Sequence, residues 1–471
     1  MALSVIYPEL ALLGLAVVLL LLDLAWPRLR AGLGYLAALG CAAIMAALLA
    51  APPAGVAFGG AFVADGTTVL FKLIFLAAAV LVSLVSVRYL GTITRSHGEY
   101  YLLLCLSALG LMVMSSAGDL LLLYLGLELS TISLYPLAAF HKDNPRSAEA
   151  GLKFMLLGAV SSAVLLYGLS LLYGVTGTTS FRLISDALAA GRLTGGLALA
   201  LAFVAAGFAF KVAAAPFHMW APDVYEGAPT PVTAFVSVAS KSAGFAVLLR
   251  LFAGPLLSAS GLWAGLFALL SLASMVVGNL VAIPQTNVKR MLAYSGIAQA
   301  GYVLVGLAAA SALGAGFSIF FLAQYTLVNI GAFIVVLLVA QGTGSEQLGA
   351  FAGLGRRSPL LALSMLLLLL SLGGIPPLAG FWAKLYVFLA GVQAGLWWLV
   401  LVGVLASVLS LYYYLMVVRQ MYMVAPPSPD PLPIPRPAAV ALLICTGLTV
   451  ALAYPGPLVT AALAAGRALL P

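Results

Sequence analysis

The chain has 471 residues, of which 64% are hydrophobic and only 7% are charged. Soluble domains carry about 25% charged residues, and no aqueous fold could cover so much apolar surface. The net charge of +8 does not indicate nucleic-acid binding, because the basic residues are scattered singly or in pairs, without a basic cluster or interleaved aromatic residues. Length, composition and charge therefore predict a chain that is embedded in a lipid bilayer from end to end.

Apolar stretches long enough to cross a hydrocarbon layer of about 30 Å recur along the whole chain. They predict an all-α polytopic membrane protein with about 14 transmembrane helices and both termini on one side. In chain order, the predicted spans lie near 4–25, 31–50, 66–90, 99–117, 119–140, 147–173, 195–217, 230–252, 261–283, 290–310, 315–341, 359–390, 395–424 and 438–463.

The basic residues between the spans predict the orientation, because short cytoplasmic loops retain Lys and Arg. With the N-terminus outside, twelve basic residues fall inside: Arg28, Arg30, Arg88, Arg95, Lys142, Arg146, Lys289, Arg290, Arg356, Arg357, Arg419 and Arg436. Only four fall outside: Arg182, Arg192, Arg250 and Arg467. We therefore predict that both termini lie on the outer side.

Five basic residues remain inside the predicted spans, and one acid lies close to the bilayer centre. The five are Lys72, Lys153, Lys211, Lys241 and Lys384. Glu128 lies nine residues into its span, which places it about 14 Å deep. Each central charge costs about 2.5–3.5 kcal/mol on insertion scales. We therefore expect Glu128, Lys211, Lys241 and Lys384 to face one another or internal water rather than lipid.

Static ion pairs that hold helices together are the alternative interpretation of these charges. If Lys153 is counted, four central lysines face one central glutamate, so pairing alone would leave some lysines neutral or solvated by internal water. Lys72 differs from the others because it lies seven residues from Asp65 and can reach the interface. Both a functional and a solvated role stay open for Lys72.

Two predicted spans carry helix breaks beside their lysines. Pro216 follows Lys211 in FKVAAAPFHMW, and a Gly-Gly-Ile-Pro-Pro run precedes Lys384 in GGIPPLAGFWAK. Irregular backbone at membrane depth is tolerated only inside protein or against water. Paired interrupted helices, one in each half, are typical of inverted-repeat transporters whose ion path lies at the breaks. The alternative is that both are proline kinks that serve only packing.

Three further titratable residues follow the first break. His218 is a candidate accessory proton relay, although a histidine at a span end is often only a solvated cap. Asp223 and Glu226 lie in a predicted loop without basic residues. They are either the groups at which protons enter or merely solvated acids.

Four long motifs resemble the antiporter-like subunits of respiratory complex I, the bacterial NADH:quinone oxidoreductase (NDH-1). They are YLGLELSTISLYPLAAF around Glu128, KVAAAPFHMWAPDVYEGAPTPVTAFVSVASK from Lys211 to Lys241, QTNVKRMLAYSGIAQAGY from Gln285, and GGIPPLAGFWAK ending at Lys384. The resemblance spans most of the chain. The position of Lys241 in its motif and the lysine of the twelfth span favour the N type over the M and L types.

The resemblance implies a fold of fourteen helices with two inverted five-helix repeats and broken helices at spans 7 and 12. The expected segments are 1–98 for spans 1–3, 99–258 for the first repeat, 259–424 for the second repeat and 425–471 for span 14. The residues that it marks for proton translocation are Glu128, Lys211, Lys241 and Lys384, with Lys153, His218, Lys72 and Gln299 as candidate accessory relays. Gln299 stands where relatives often carry histidine, which puts a titrating group in span ten in doubt.

The resemblance also implies how such a subunit is driven. Moving a proton against the membrane potential costs about 2.3 kcal/mol per 100 mV. The sequence has no P-loop, dinucleotide fingerprint or clustered cysteines that could supply this energy. We therefore expect flavin, iron–sulfur clusters and quinone in partner subunits, and a non-redox translocase subunit here that holds no cofactor or metal.

The expected partners are the other membrane-arm subunits, including other antiporter-like subunits, and the lipid bilayer, with no nucleic acid. The expected location is the bacterial inner (plasma) membrane, with both termini periplasmic. In the hypothesis for transport, Lys211 and Glu128 make and break a contact, Lys241 is the central relay and Lys384 serves the other half-channel.

Two other function classes stay open. A subunit of a cation/proton antiporter or of a membrane-bound hydrogenase complex would share the fold and the lysines. A solute transporter of another class would need a polar pocket at the breaks. The residues beside the breaks, among them Ala213, Ala214, Ala215 and Leu378, argue against such a pocket.

Overall fold

A computed structural model describes residues 2–191, 195–426, 428 and 430–470. Arg192, one of the four basic residues predicted on the outer side, lies outside this described part. Almost all of the described chain is helical, which confirms the prediction of an all-α polytopic membrane protein.

The helices follow one another with short connections. In the first half they are α1 (Ala2–Val5), α2 (Tyr7–Ala25), α3 (Leu33–Ala50), α4 (Gly66–Ile93), α5 (His97–Ser115), α6 (Leu120–Ala138), α7 (Pro145–Thr176), α8 (Phe181–Ala189), α9 (Gly195–Lys211), α10 (Trp220–Gly227), α11 (Thr230–Phe235) and α12 (Lys241–Phe252). In the second half they are α13 (Ser260–Ala282), α14 (Val288–Ala308), α15 (Ala312–Thr343), α16 (Leu354–Arg357), α17 (Pro359–Gly373), α18 (Ala379–Gln393), α19 (Trp397–Met423), α20 (Arg436–Ala451) and α21 (Gly456–Ala468). Strands β1 (Gly55–Ala57) and β2 (Phe62–Ala64) form an antiparallel hairpin between α3 and α4.

In the described part of the chain, eleven helical segments are long and apolar enough to cross a bilayer. A twelfth candidate is the pair α20 and α21, which is bent by 84°. The chain therefore forms two helices where one continuous span was predicted at 438–463. Pro455 stands immediately before α21, and proline cannot extend a preceding helix because it lacks a backbone N–H.

Local capping explains where several helices begin and end. The side chains of Asp65, Asp119 and Asn287 accept hydrogen bonds from first-turn backbone N–H groups of α4, α6 and α14. The two longest helices, α7 and α15, have 32 residues each and end at left-handed glycines, Gly177 and Gly344. These signals lie within a few residues of each helix end, so they can be read from sequence.

Both predicted helix breaks are confirmed. α9 ends at Lys211 and α10 begins nine residues later, while α17 ends at Gly373 and α18 begins at Ala379. Gly374 adopts a left-handed conformation, with a φ of 83°, which closes the end of α17. The peptide bonds that precede Pro216 and Pro377 are cis.

The centre of the bundle is formed by α11, α12, α14 and α15, whose residues are almost all buried. A π-helical turn, Val236–Ser240, joins α11 to α12 and ends directly before Lys241. Such turns are rare and occur mostly at functional sites. By contrast, α2, α3 and α19 expose many large apolar side chains, as expected for helices that face lipid.

The two ends of α4 define the two faces of the bundle. Asp65, immediately before α4, meets Arg250 of α12 at one end, called here the Asp65 face. Tyr89, near the other end of α4, lines a cavity with Lys289 and Glu346, and this end is called the Arg290 face. α4 thus runs from one face to the other, and the central lysines lie between the faces.

Candidate functional site

Glu128 and Lys211 lie on neighbouring helices, and each is held by a hydroxyl group. Lys211 is 7% exposed, and its Nζ donates a hydrogen bond to Thr131 Oγ1 at 2.8 Å. Ser162 Oγ of α7 donates to Glu128 Oε1 and also bonds the hydroxyl of Tyr124 at 2.9 Å. Within the described chain, Glu128 and Lys211 form no ion pair with each other.

The two hydroxyls and the lysine share one small space. Thr131, Ser162 and Lys211 line a cavity of about 20 Å³ beside the end of α9. A cavity of this size has room for about one water molecule. The arrangement keeps the acid and the base close to a common space, while each is bonded to a neutral partner.

Lys241 is held by a backbone carbonyl of α14. It is 3% exposed, and its Nζ donates to the carbonyl oxygen of Gly296 at 2.6 Å. The ammonium lies 5.9 Å from the centre of the Tyr325 ring, within the range of a cation–π contact. A methyl group at Gly296 would lie 3.1 Å from Lys241 Nζ, so the absence of a side chain there lets the lysine approach.

The break between α17 and α18 supplies the partner of Lys384. This lysine is 5% exposed, and its Nζ donates to the Leu372 carbonyl oxygen and to Ser407 Oγ, both at 2.8 Å. Because α17 ends at Gly373, the Leu372 carbonyl has no following helical turn to bond and is free to accept. The ammonium also lies 4.6 Å from the Tyr302 ring centre. The helix break therefore provides the carbonyl oxygen that accepts a hydrogen bond from Lys384.

Gln299 reaches the same carbonyl and connects Lys384 to α14. Its Nε2 donates to the Leu372 carbonyl oxygen at 3.1 Å and to the hydroxyl of Tyr414 at 3.5 Å. Tyr414 in turn bonds Ser295 Oγ at 2.5 Å. Ser295 precedes Gly296, the acceptor of Lys241. Polar groups of α14 thus lie between Lys241 and Lys384, although in the described chain no hydrogen bond joins Ser295 Oγ to the Gly296 carbonyl, and the Gln299 amide does not titrate.

The prediction that Asp223 and Glu226 lie in a loop without basic residues is wrong. They lie on α10, where Arg290 bonds Asp223 at 2.7 Å and Glu226 at 3.0 Å. Lys153 bonds Asp223 at 2.7 Å and Glu149 at 2.8 Å. The basic residues come from α7 and α14, which the sequence around Asp223 could not reveal. These ion pairs line a cavity of about 230 Å³ at the Arg290 face.

Lys153 and His218 are not joined to the central lysines. The Lys153 side chain is 42% exposed and lies at the rim of the bundle. His218 is 9% exposed and lies in the connection between α9 and α10. No hydrogen bond in the described part of the chain links either residue to Lys211 or Lys241.

Lys289 was attributed to an inner loop on sequence grounds, but it is buried. It is 2% exposed, and its Nζ donates to the Ala228 carbonyl oxygen at 2.9 Å and to Glu346 Oε1 at 3.0 Å. It lines a second cavity at the Arg290 face, of about 390 Å³. Lys289 lies in the first turn of α14, where a solvated basic residue and a buried one look the same in sequence.

Two charge pairs at the Asp65 face were also missed. Lys72 of α4 forms an ion pair with Glu9 of α2 at 2.8 Å. Arg250 bonds both carboxylate oxygens of Asp65, at 2.8 and 2.9 Å, and Thr68 Oγ1 at 2.7 Å. Burial alone would raise the pKa of Asp65, but the charge of Arg250 and the hydrogen bonds from Thr68 and Arg250 outweigh it and hold that pKa below its usual range. The one sequence signal for the first pair is an acid, Glu9, inside an apolar run.

A metal site is not part of the described structure. Among the described residues, no group of three or more His, Cys, Asp or Glu side chains is placed to hold a metal ion. The three cysteines, Cys41, Cys105 and Cys445, are buried as free thiols. The expectation that this chain carries no cofactor or metal stays a prediction.

The chain is similar to known membrane proteins along nearly its whole length. The family model described as "NADH:quinone oxidoreductase/Mrp antiporter, TM" matches residues 117–410. NADH-quinone oxidoreductase subunit N of Moorella thermoacetica is 50% identical over 420 residues, which is 89% of this chain and 88% of the relative. The subunit N of Desulforamulus reducens is 45% identical and covers 99% of this chain and 98% of its own length.

Solved structures agree with these relatives. A chain of respiratory complex I from Thermus thermophilus superposes with a TM-score of 0.82 at 36% identity, covering 96% of this chain and 98% of that one. A chain of a membrane-bound sulfane sulfur reductase, an archaeal respiratory complex, superposes with a TM-score of 0.87 at 26% identity, covering 99% and 97%. The resemblance drawn from the four motifs is therefore confirmed. The chain belongs to the NADH:quinone oxidoreductase and Mrp antiporter family of membrane subunits, in which the N-type subunits are among its relatives.

Proposed function

We propose that this chain is a proton-translocating membrane-arm subunit of an NADH:quinone oxidoreductase, and that Glu128, Lys211, Lys241 and Lys384 carry the protons. One observation supports this assignment above all. Each central lysine is almost fully buried, yet its acceptors are hydroxyl or carbonyl groups and not a carboxylate. A lysine with neutral partners can lose its proton without leaving an unpaired buried anion behind. Static ion pairing does not account for these three lysines.

The proposed fold has fourteen crossings. The eleven long segments, the bent pair α20 and α21, and the two interrupted segments α9 with α10 and α17 with α18 together make that number. We propose the boundaries 1–98, 99–258, 259–424 and 425–471, with two inverted repeats in the middle. Equal features in the two repeats support this division: α7 and α15 both have 32 residues, and the next segment is broken in each.

Two isolated strand-like bridges support the same division. Asp119, which caps α6, pairs with Ser180 after α7, and Asn287, which caps α14, pairs with Gln347 after α15. Under this correspondence, Glu128 and Gly296 occupy the same position, nine residues beyond the cap. The second repeat thus has a glycine carbonyl, bonded by Lys241, where the first repeat has its acid.

The proposed cycle uses the two hydroxyls beside Glu128 and Lys211. When the pair is apart, as here, Thr131 accepts from Lys211 and Ser162 donates to Glu128. When the pair closes, the carboxylate favours the charged lysine and loads a proton. When it opens, burial disfavours the charge and the proton is released towards Lys241. Lys384 then serves the second half-channel, with Gln299 and Tyr414 as polar neighbours.

The remaining parts of the assignment follow from the relatives. We propose that the other membrane-arm subunits, including antiporter-like ones, are the partners. Flavin, iron–sulfur clusters and quinone would then act in partner subunits, because the sequence offers no redox motif for this chain. We place the Asp65 face and both termini on the periplasmic side of a bacterial inner membrane, as the distribution of Arg and Lys between the loops favours. Asp223 and Glu226 are proposed to take up protons at the Arg290 face, with Lys153 and Lys289 beside them.

Alanine at Lys211 or Glu128 tests the proposal in the assembled complex reconstituted in vesicles. NADH oxidation and the proton gradient are measured together, and Lys142→Ala, at an exposed lysine, is the matched control. We expect the gradient formed per NADH to fall in both variants, because the proton path through this subunit is cut. An unchanged proton to electron ratio, with the complex assembled, would overturn the proposal.

The cation/proton antiporter class remains the second candidate, because the matching family model also includes Mrp antiporters. The same vesicles discriminate between the two. If the gradient requires Na⁺ and does not depend on NADH, the antiporter assignment replaces ours. If the gradient follows NADH oxidation in Na⁺-free buffer, ours stands.

A further inference from the structure

Glu9 and Lys72 form a buried acid–lysine pair, separate from the central lysines. Lys72 Nζ lies 2.8 Å from Glu9 Oε1, and the side chains are 0% and 7% exposed. The pair connects α2 to α4 close to the Asp65 face. Neither residue is used by the transport path proposed above, apart from the accessory role predicted for Lys72.

The pair is poorly compensated for a fixed ion pair. An ammonium has three donors and a carboxylate about four acceptor positions. In the described chain, neither Lys72 Nζ nor the carboxylate oxygens of Glu9 have a hydrogen-bond partner beyond the ion pair that joins them. Buried ion pairs repay their desolvation only when further hydrogen bonds satisfy both groups. This pair lacks them, which disfavours a purely structural role.

The pair lies on the side of the bundle that carries the Asp65 face and its cavity, although neither Glu9 nor Lys72 lines that cavity. Lys72 lies 5.0 Å from the ring centre of Phe62, in the β-hairpin that covers the pair. Seven residues, or about 10 Å of helix, separate it from Asp65. Asp65 and Arg250 line a cavity of about 560 Å³ at the Asp65 face. The other titratable neighbour is Tyr7, two residues before Glu9, whose hydroxyl donates a hydrogen bond to the Ala51 carbonyl oxygen at 3.0 Å.

We propose that Glu9 and Lys72 form a proton-exchange site that releases protons on the Asp65 face. The N–H bond of the Lys72 ammonium breaks as an O–H bond forms on Glu9, giving a neutral amine and a carboxylic acid with no change in net charge. Glu9 then passes the proton to water in the cavity lined by Asp65, and the Lys72 amine accepts the next proton from the interior. This inference rests on the proposed function, because the protons are those that the central lysines deliver.

Neutralising both Glu9 and Lys72 distinguishes a proton-exchange site from an ion pair that only holds α2 and α4 together. If the pair only joins α2 to α4, the variant Glu9→Gln/Lys72→Met removes a poorly compensated ion pair and should leave pumping intact, since apolar replacements of buried pairs are often neutral or stabilising. If the pair exchanges protons, this variant assembles and oxidises NADH but forms a smaller proton gradient per NADH. We expect the second result. The part of the proton gradient per NADH that Lys211→Ala removes should be at least twofold smaller in this variant than in the wild type.

The matched control is a second ion pair, between Asp23 of α2 and Arg30 in the short segment that follows this helix. Asp23 and Arg30 lie 2.8 Å apart at the opposite end of α2. The variant Asp23→Asn/Arg30→Met should leave the gradient unchanged. Wild-type pumping by the Glu9→Gln/Lys72→Met variant would overturn this inference alone, provided that Lys211→Ala lowers the gradient formed per NADH in the same vesicles. If Lys211→Ala also pumps normally, the proposed function fails as well.

A spectroscopic measurement keeps the inference testable if the double variant does not assemble. Glu9→Gln alone retains the shape of the side chain, and infrared difference spectra of the complex during turnover report the C=O stretch of a protonated carboxylic acid. We expect a carboxylic acid band in the wild type that is missing in Glu9→Gln and present in Asp23→Asn. A spectrum of Glu9→Gln identical to the wild type would overturn the proposal.

Discussion

Two acid–lysine pairs of this protein, the buried Glu9 with Lys72 and the partly exposed Glu128 with the buried Lys211, are in opposite states. Glu9 and Lys72 contact each other at 2.8 Å and have no other polar partner in the described chain. Glu128 and Lys211 do not contact each other, and each is bonded to a hydroxyl. The chemical groups are the same, so the difference comes from the neighbours. In this protein, the pair that is open is the one to which neighbouring helices offer a hydroxyl partner for each member.

Replacing both hydroxyls would test this comparison most severely. In Thr131→Val/Ser162→Ala, Lys211 and Glu128 lose their alternative partners, so we expect them to close as Glu9 and Lys72 do. Hydrogen bonds to charged groups contribute about 1.5–3 kcal/mol each, so the open state should become roughly 100-fold rarer or more. Proton pumping should then nearly stop while the complex stays assembled. The matched control is Ser170→Ala, because Ser170 bonds only its own helix. Normal pumping by the double variant would show that the hydroxyls do not separate the pair.

The single change Thr131→Val should have an intermediate effect. Only Lys211 loses its acceptor, and the loss of about 1.5–3 kcal/mol corresponds to roughly a tenfold to hundredfold shift towards the closed pair. Pumping at neutral pH should fall, and the pH at which the pumping rate is half maximal should shift. Thr131→Ser restores the hydroxyl and should restore both quantities. If Thr131→Ser pumps as poorly as Thr131→Val, the effect is one of packing and not of hydrogen bonding.

Gly296→Ala should disturb the second half of the path. A methyl group there would lie 3.1 Å from Lys241 Nζ and 3.0 Å from the Tyr325 hydroxyl, so the ammonium must leave the Gly296 carbonyl. We expect a several-fold slower pumping rate with normal assembly, since only the ends of two side chains, Lys241 and Tyr325, have to move by a small distance. Gly265→Ala is the matched control, because a methyl group at Gly265 meets nothing within 4 Å. Equal rates for both variants would contradict the role of the carbonyl.

The ion pair of Asp65 and Arg250 should produce the smallest effect, on stability alone. The pKa of Asp65 is lower in the folded protein than its usual value of 3.8. The stabilisation by ionised Asp65 is therefore present in full above pH 3.8, and it is lost as the pH falls through the lower pKa of the folded state. Between pH 7 and pH 5, this stabilisation is therefore constant, and Asp65 should cause no change of the melting temperature of the purified complex with pH. Below pH 4 the wild type should lose stability that Asp65→Asn does not. Parallel curves for the two proteins would contradict the pairing.

The amino-acid sequence by itself determined the membrane class and the two helix breaks, and it predicted the depth of Glu128, Lys211, Lys241 and Lys384. These features are local, because hydropathy, proline and glycine act within a few residues of where they stand. The motifs around these residues were also long enough to indicate the family. Nothing beyond the immediate neighbourhood in the chain was needed for any of these predictions.

Only the tertiary structure decided which partner each charge meets. Thr131 lies 80 residues from Lys211, Ser162 lies 34 from Glu128, and Gly296 lies 55 from Lys241. The pairing of Asp223 with Arg290 and the burial of Lys289 could not be predicted for the same reason, because their partners also lie far away in the sequence. A side chain in a membrane helix shows its depth through its place in the apolar run. The group that it faces is set by how helices from remote parts of the chain pack together.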